Sequence, residues 1–168
     1  MLNKNESADI EVIILPDDAT IKNLIWKSDD ESIVTVKNGT VTAGNRAGKT
    51  TVTATAPDNE NAFAKCEITV KEPVTDINLN ETELDLRKND TYQLSAIITP
   101  NNATIRDVTW KSTDEKVATV DSTGKVTAIS EGTAKIVCTS ADSGKAAICE
   151  VKVLREIEEL TVTLPALS

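Results

Sequence analysis

The residues of this 168-residue chain that could do chemistry or grip a ligand are few: three cysteines, several acidic turns, two tryptophans and one phenylalanine. A cysteine acts as a nucleophile only when something draws off its proton. The chain has no histidine, which removes the usual base, the Ser-His-Asp and Cys-His arrangements, His-based metal sites and the simplest pH switch. The acidic turns Asp17-Asp18, Asp29-Asp30-Glu31, Asp58-Asn59-Glu60 and Asp114-Glu115 could offer oxygen ligands to calcium. None has EF-hand spacing, and solvated loops account for them equally well. Paired carboxylates also serve glycosidases, yet units of this size offer no substrate cleft. The sequence therefore indicates no catalytic, cofactor-binding or metal-ligating residue, and an enzyme is not expected.

What positions these residues is a text of strands. Val108-Thr109-Trp110-Lys111-Ser112 alternates apolar with polar, and Val117-Ala118-Thr119-Val120 and Gly124-Lys125-Val126-Thr127-Ala128 follow. Nearly the same order occurs upstream as Leu24-Ile25-Trp26-Lys27-Ser28, Ile33-Val34-Thr35-Val36 and Gly39-Thr40-Val41-Thr42-Ala43. A long repeat written in period two means one small β-domain used at least twice. Trp26 and Trp110 share parity with Leu24 and Val108, so both are expected as core markers and not as exposed stacking platforms.

Cys138 shares its inward parity with Ala134 and Ile136, and Cys149 shares its own with Val151 and Val153. A tight hairpin centred near Ser143–Gly144 sets 138 almost opposite 149, and the same count sets Ala54 opposite Cys66. Two readings stand: free buried thiols at Cys66, Cys138 and Cys149 acting as small apolar residues, or a strained Cys138–Cys149 cross-strand bond. Phe63 is out of phase with Ala64, Cys66, Ile68 and Val70, so it faces outward near a hairpin tip. It would cap the end of its sandwich, line an interdomain contact, or touch a partner, and it is the one weak candidate for binding.

Composition narrows the partners. The net charge is −9, with 27 acidic and 18 basic residues and no basic cluster, so nucleic acid and anionic lipid are unfavoured. No apolar stretch is long enough to span a bilayer, and Met1–Glu6 lacks the apolar core of a signal peptide. Glycine or proline signals separate short strands with no helical segment between them, which indicates antiparallel sandwiches.

The expected organisation is a first sandwich over residues 1–70 that lacks its opening strand, a linker at 71–73, and a complete sandwich over 74–153. Residues 154–168 would supply a linker and the first strand of a further repeat. In the first sandwich Asn5–Pro16 is expected as a strand, with Ile10, Val12 and Ile14 on one face. In the second, Val74–Leu79 and Leu84–Leu86 form an opening strand that crosses between sheets. Ile157-Glu158-Glu159-Leu160-Thr161-Val162 matches Val74 to Leu79, so donation of Ile157–Leu164 to the open edge of a neighbouring chain is a further expectation. The linkers Lys71-Glu72-Pro73 and Leu154-Arg155-Glu156 contain no glycine or serine, which favours a stiff, elongated arrangement.

The ordered series Val108–Asp114, Val117–Val120, Gly124–Ala128, Glu131-Gly132-Thr133-Ala134 and Cys149–Val153, read twice along the chain, resembles the bacterial immunoglobulin-like group 2 family. These modules are found in invasin- and intimin-type surface proteins. The resemblance implies tandem immunoglobulin-like antiparallel β-sandwiches, a cell-surface or extracellular setting, and a stalk or adhesion role towards cell-surface carbohydrate or a host protein. It also admits an accessory binding module of a secreted enzyme or a phage tail protein. It supplies no catalytic residue and no cofactor.

Overall fold

The computed structural model describes residues 1–19, 22–155, 157, 161 and 162. The strand expected at Ile157–Leu164 and the end of the turn at Thr20 lie largely outside them. The described residues form strands and loops with no helix. The chain divides into two compact units, Met1–Val74 with Pro100–Ile105, and Thr75–Thr99 with Arg106–Ser168.

The second unit shows the sandwich closed. Its opening segment makes two strands, β7 (Asp76–Leu79) and β8 (Glu83–Arg87). β7 pairs with β10 (Ala96–Thr99), whereas β8 joins the opposite sheet in the order β11-β14-β15-β8. That sheet contains β11 (Val108–Ser112), β14 (Gly132–Ser140) and β15 (Ala146–Leu154). A third group pairs β12 (Ala118–Val120), β13 (Lys125–Ala128) and β9 (Thr91–Gln93). The crossing between sheets is therefore real, and it has a consequence the antiparallel expectation missed. β8 runs parallel to β15, with Leu84 opposite Val151 and Leu86 opposite Val153. Period-two alternation turns one face inward: Ile77, Leu84, Leu86, Leu94, Val126, Ala134, Ile136, Cys138, Cys149, Val151 and Val153 are all buried.

The first unit repeats this plan with β1 (Ser7–Asp9), β3 (Val34–Lys37) and β4 (Thr40–Ala43) in one sheet. The other holds β2 (Ile25–Ser28), β5 (Gly48–Ala56) and β6 (Asn59–Val70). Leu2, Ile33, Val34, Val41, Ala43, Val52, Ile68 and Val70 form its core, with Ile10, Trp26 and Val36 packed against it. Leu2 makes a parallel bridge to Val70, the position that Leu86 holds against Val153 in the second unit. Leu2 is thus the counterpart of one residue of β8. The long strand expected over Asn5–Pro16 is corrected to Ser7–Asp9. Ile10, Val12 and Ile14 keep the inward alternation, but among the described residues no strand pairs with the segment as β7 pairs with β10, and a strand needs a partner for its backbone groups.

The tryptophans pack inward and are half-buried. Each ring covers the glycine of the facing hairpin. Asn38 and Gly39 both take positive φ, 51° and 88°, as a two-residue type I′ turn requires. A Cβ placed on Gly39 would lie 3.3 Å from the Trp26 ring, and one on Gly124 (φ 88°) would lie 2.8 Å from the Trp110 ring and 2.6 Å from the Leu94 carbonyl oxygen. The tryptophan fixes the strand, and the glycine makes room for it.

Gly124→Ala should therefore destabilise the second unit more than Gly144→Ala. Both positions have positive φ, but a Cβ at Gly144 meets nothing within 4 Å. Chemical denaturation should show a loss of about 1 kcal/mol at Gly144, and a further 1–3 kcal/mol, roughly, at Gly124 from the clash with backbone and ring. Equal losses would mean that the ring can move aside.

Candidate functional site

The place where the two units differ most is the inner face of β6. In the second unit β7 lies against β15 and hydrogen-bonds to β10, which leaves Cys149 with no exposed surface. Among the described residues of the first unit, no strand takes the place that β7 takes in the second. The Val12–Leu15 segment faces Ala54 and Ala64 across a cavity of about 230 Å³, and a neighbouring cavity of about 340 Å³ runs past Trp26, Val52 and Cys66. The walls are apolar, with Glu11 and Lys65 as the charged side chains among the lining residues of the second cavity. Ile10 N–H donates to the Gly39 carbonyl at 2.9 Å, but among the described residues no backbone hydrogen bond engages Glu11–Leu15. The result is a trough with apolar walls and a free strand edge on one side.

This geometry corrects the reading of Cys66. It was expected in the core, yet its side chain is exposed, whereas Cys138 and Cys149 are buried. The parity was right, but among the described residues no strand lies over it as β7 lies against β15. Burial along β6 fades from Val70 and Ile68, beside Leu2, to the exposed Cys66 and Ala64. The hairpin register also moves. Cys138 stands opposite Ala147 and Cys149 opposite Ile136, while Cys66 faces Val52 and Ala54 faces Ala64. A longer turn in the second unit, and a register shift at Thr55/Ala56 beside a two-residue turn in the first, set the pairing two positions away from the tight-hairpin count, so Cys138 and Cys149 lie on a diagonal. All three thiols are free. Burial pushes the Cys138 thiol up to about 11, and burial with the nearby carboxylates of Glu81 and Glu83 does the same for Cys149. Neither is a poised nucleophile.

Phe63 faces outward as expected, at 57% exposure. It shares a cross-strand row with Thr55 and Ile25 on a shallow outer surface that also includes Lys27, Thr53 and Lys65. Lys65 Nζ lies 5.4 Å from the centre of the ring, a cation–π contact that occupies a face a sugar would need for stacking.

The turns at Asp30, Asp114 and Asp121 are organised by their own chain. Asp30 Oδ1 accepts from the Ser32 hydroxyl at 2.5 Å and the Ser32 N–H at 2.9 Å, and Arg46 approaches its other oxygen at 3.3 Å. Asp121 Oδ1 accepts from the Thr123 hydroxyl and from the N–H groups of Thr123 and Lys125. These bonds, the hydroxyl first in each case, hold both carboxyls below the usual carboxylate range. Asp114 Oδ1 accepts from Lys116 N–H. These bonds give the carboxylates a turn-forming role. Among the described residues no three His, Cys, Asp or Glu side chains gather as a metal cage.

The repeated sandwich with its crossing strand can now be set beside known proteins. The sequence profile of the bacterial Ig-like domain (group 2) matches residues 1–66 and again 73–151. The chain belongs to this family. Domains of the family are typically non-catalytic modules. An uncharacterised protein of Clostridium acetobutylicum is 30% identical over 95% of this chain, which spans 17% of that protein. A lacto-N-biosidase of Bifidobacterium bifidum is 48% identical over 45% of the chain, which spans 7% of the enzyme. An Ig-like virion protein of Serratia phage KSP90 is 32% identical over 83% of the chain and 56% of its own length. The chain thus spans less than two thirds of each of these relatives.

Native thiol labelling at neutral pH should modify Cys66 alone, with Cys138 and Cys149 reacting only after unfolding. Because folding raises the two buried thiols from 9.0 to about 11, their stabilising contribution is complete below pH 9 and is lost as pH rises towards 11. Alkaline unfolding of the second unit should be less steep in a Cys138→Ala, Cys149→Ala double variant. Labelling of all three thiols at equal rates in the native protein would contradict the burial pattern.

Proposed function

We propose that this chain is a non-enzymatic scaffold segment of a bacterial surface or secreted protein, spacing or presenting other domains. The observation that carries this reading is the way the module is distributed. Related sequence makes up a small part of a lacto-N-biosidase and a large part of a phage virion protein. Such hosts do not share a chemistry, which fits a part that contributes position. The inner face of the second sandwich is committed to packing, and the carboxylates of Asp30, Asp114 and Asp121 are committed to turns. An adhesion or stalk role in a cell-surface protein is the specific form of this proposal, and an extracellular location goes with it.

A second reading, carbohydrate or protein recognition by an accessory module, has one observation in its favour: the exposed row of Ile25, Phe63 and Lys65. The second unit has Thr109, Ala146 and Ile148 at the corresponding places, so the row belongs to one repeat. Lys65 over the ring weakens it as a stacking platform.

A glycan array probed with the wild type and with Phe63→Ala separates the two readings. The scaffold reading expects no retention above background for either protein. Retention by the wild type that disappears in a folded Phe63→Ala variant would replace it with recognition through the outer face of the first unit.

A further inference from the structure

We propose that Asn38-Gly39 is a self-modifying site, where the hairpin turn of the first unit converts to aspartate and isoaspartate with water as the only co-reactant. Among the described residues three asparagines take positive φ: Asn5 at 63°, Asn38 at 51° and Asn89 at 71°. What separates them is the N–H of the residue that follows. Glu6 N–H donates to the Asn3 carbonyl at 3.2 Å, and Asp90 N–H donates to the Arg87 carbonyl at 3.0 Å. Among the described residues Gly39 N–H has no acceptor, and the exposed Asn38 amide has no partner. Glycine adds no side chain to crowd the approach. A free backbone nitrogen thus stands one residue from a free side-chain carbonyl. The second unit lacks both parts, because Thr123 precedes its turn glycine and Gly124 N–H donates to the Asp121 carbonyl at 3.1 Å.

The Gly39 nitrogen, once deprotonated, attacks the side-chain carbonyl carbon of Asn38. A new C–N bond closes a cyclic imide, and the amide nitrogen leaves as ammonia with the proton that Gly39 gave up. Water then opens the imide at either carbonyl. Breaking the bond to the side-chain carbon restores the backbone as aspartate, and Asp-Gly suits the same type I′ turn. Breaking the bond to the backbone carbon leaves the chain running through the side chain as isoaspartate, longer by one atom. A two-residue turn set by positive φ at both positions cannot hold that atom. The Gly39 carbonyl accepts from Ile10 N–H at 2.9 Å, and Gly39 packs against the Trp26 ring, so isoaspartate loosens β3–β4 and its contacts together.

Ageing the folded chain in mildly alkaline buffer, which favours the deprotonated nitrogen, and mapping its peptides by mass tests this. The peptide holding Asn38 should gain acid in place of amide ahead of those holding Asn5 or Asn89, and an isoaspartyl methyltransferase should label it. Hydrogen exchange on the isoaspartate form, isolated by chromatography, should show lost protection in β3 and β4 with β12 and β13 unchanged. The Asn38→Gly variant keeps a turn that accepts positive φ and has no side-chain carbonyl, so it should age without either change. An Asn38 amide that outlasts those of Asn5 or Asn89 overturns the proposal. Isoaspartate that forms and leaves β3–β4 exchange unaltered overturns it as a device acting on the hairpin, and so does an equal loss of protection in aged Asn38→Gly.

Discussion

Everything in this molecule depends on closing both inner faces of each sandwich. A sheet with one apolar face is stable only when another layer covers it, and in the complete repeat the last piece of cover is a strand that changes sheets. β7 seals β10 on one side, and β8 then seals β15 on the other, parallel to it. Cys149, Val151 and Val153 are buried under that cover. The first repeat has Leu2 as the counterpart of one residue of it, bridged to Val70. From there the core opens progressively along β6, and Ile10–Leu15 stays off any sheet.

Much of this was legible in the sequence because alternation is a local property. The inward parity of Trp26, Trp110, Cys138, Cys149 and Ile10–Ile14 follows from side chains pointing to opposite faces in turn. The Asn38-Gly39 turn follows from its need for positive φ at two successive positions. The crossing strand was visible as two short apolar runs, Val74–Leu79 and Leu84–Leu86. Burial at Cys66 was not legible, because parity says which way a side chain points and nothing about whether a layer lies above it. An opening strand is expected in only one of the two sandwiches, and that difference already bears on Cys66, which sits on the face that β7 lies against in the second. Hairpin register failed for a related reason. The length of the Ala141–Lys145 turn depends on local hydrogen bonds, such as Ser140 N–H to the Lys145 carbonyl, and the first unit instead shifts register at Thr55/Ala56; in the second, a two-position change moves Cys138 from Cys149 to Ala147.

The same accounting bears on function. In a sandwich of this size the residues with chemical potential are mostly consumed by the fold. Asp30 and Asp121 close turns, the buried thiols fill space, and the tryptophans brace hairpins through Gly39 and Gly124. What is left over among the described residues is geometric: an outer row around Phe63. On the proposed reading, a module of this kind contributes surface and spacing to whatever carries it. That agrees with its family, whose members occur inside proteins of different activities.

The central claim is that the two repeats share one fold but differ in closure, and native-state hydrogen exchange reads closure directly. Measured on dilute monomer, the amides of Val12–Leu15 should exchange at close to unprotected rates while those of Ala96–Thr99, paired to β7, remain protected along with β5 and β14. Equal protection of Val12–Leu15 and Ala96–Thr99 would contradict the account.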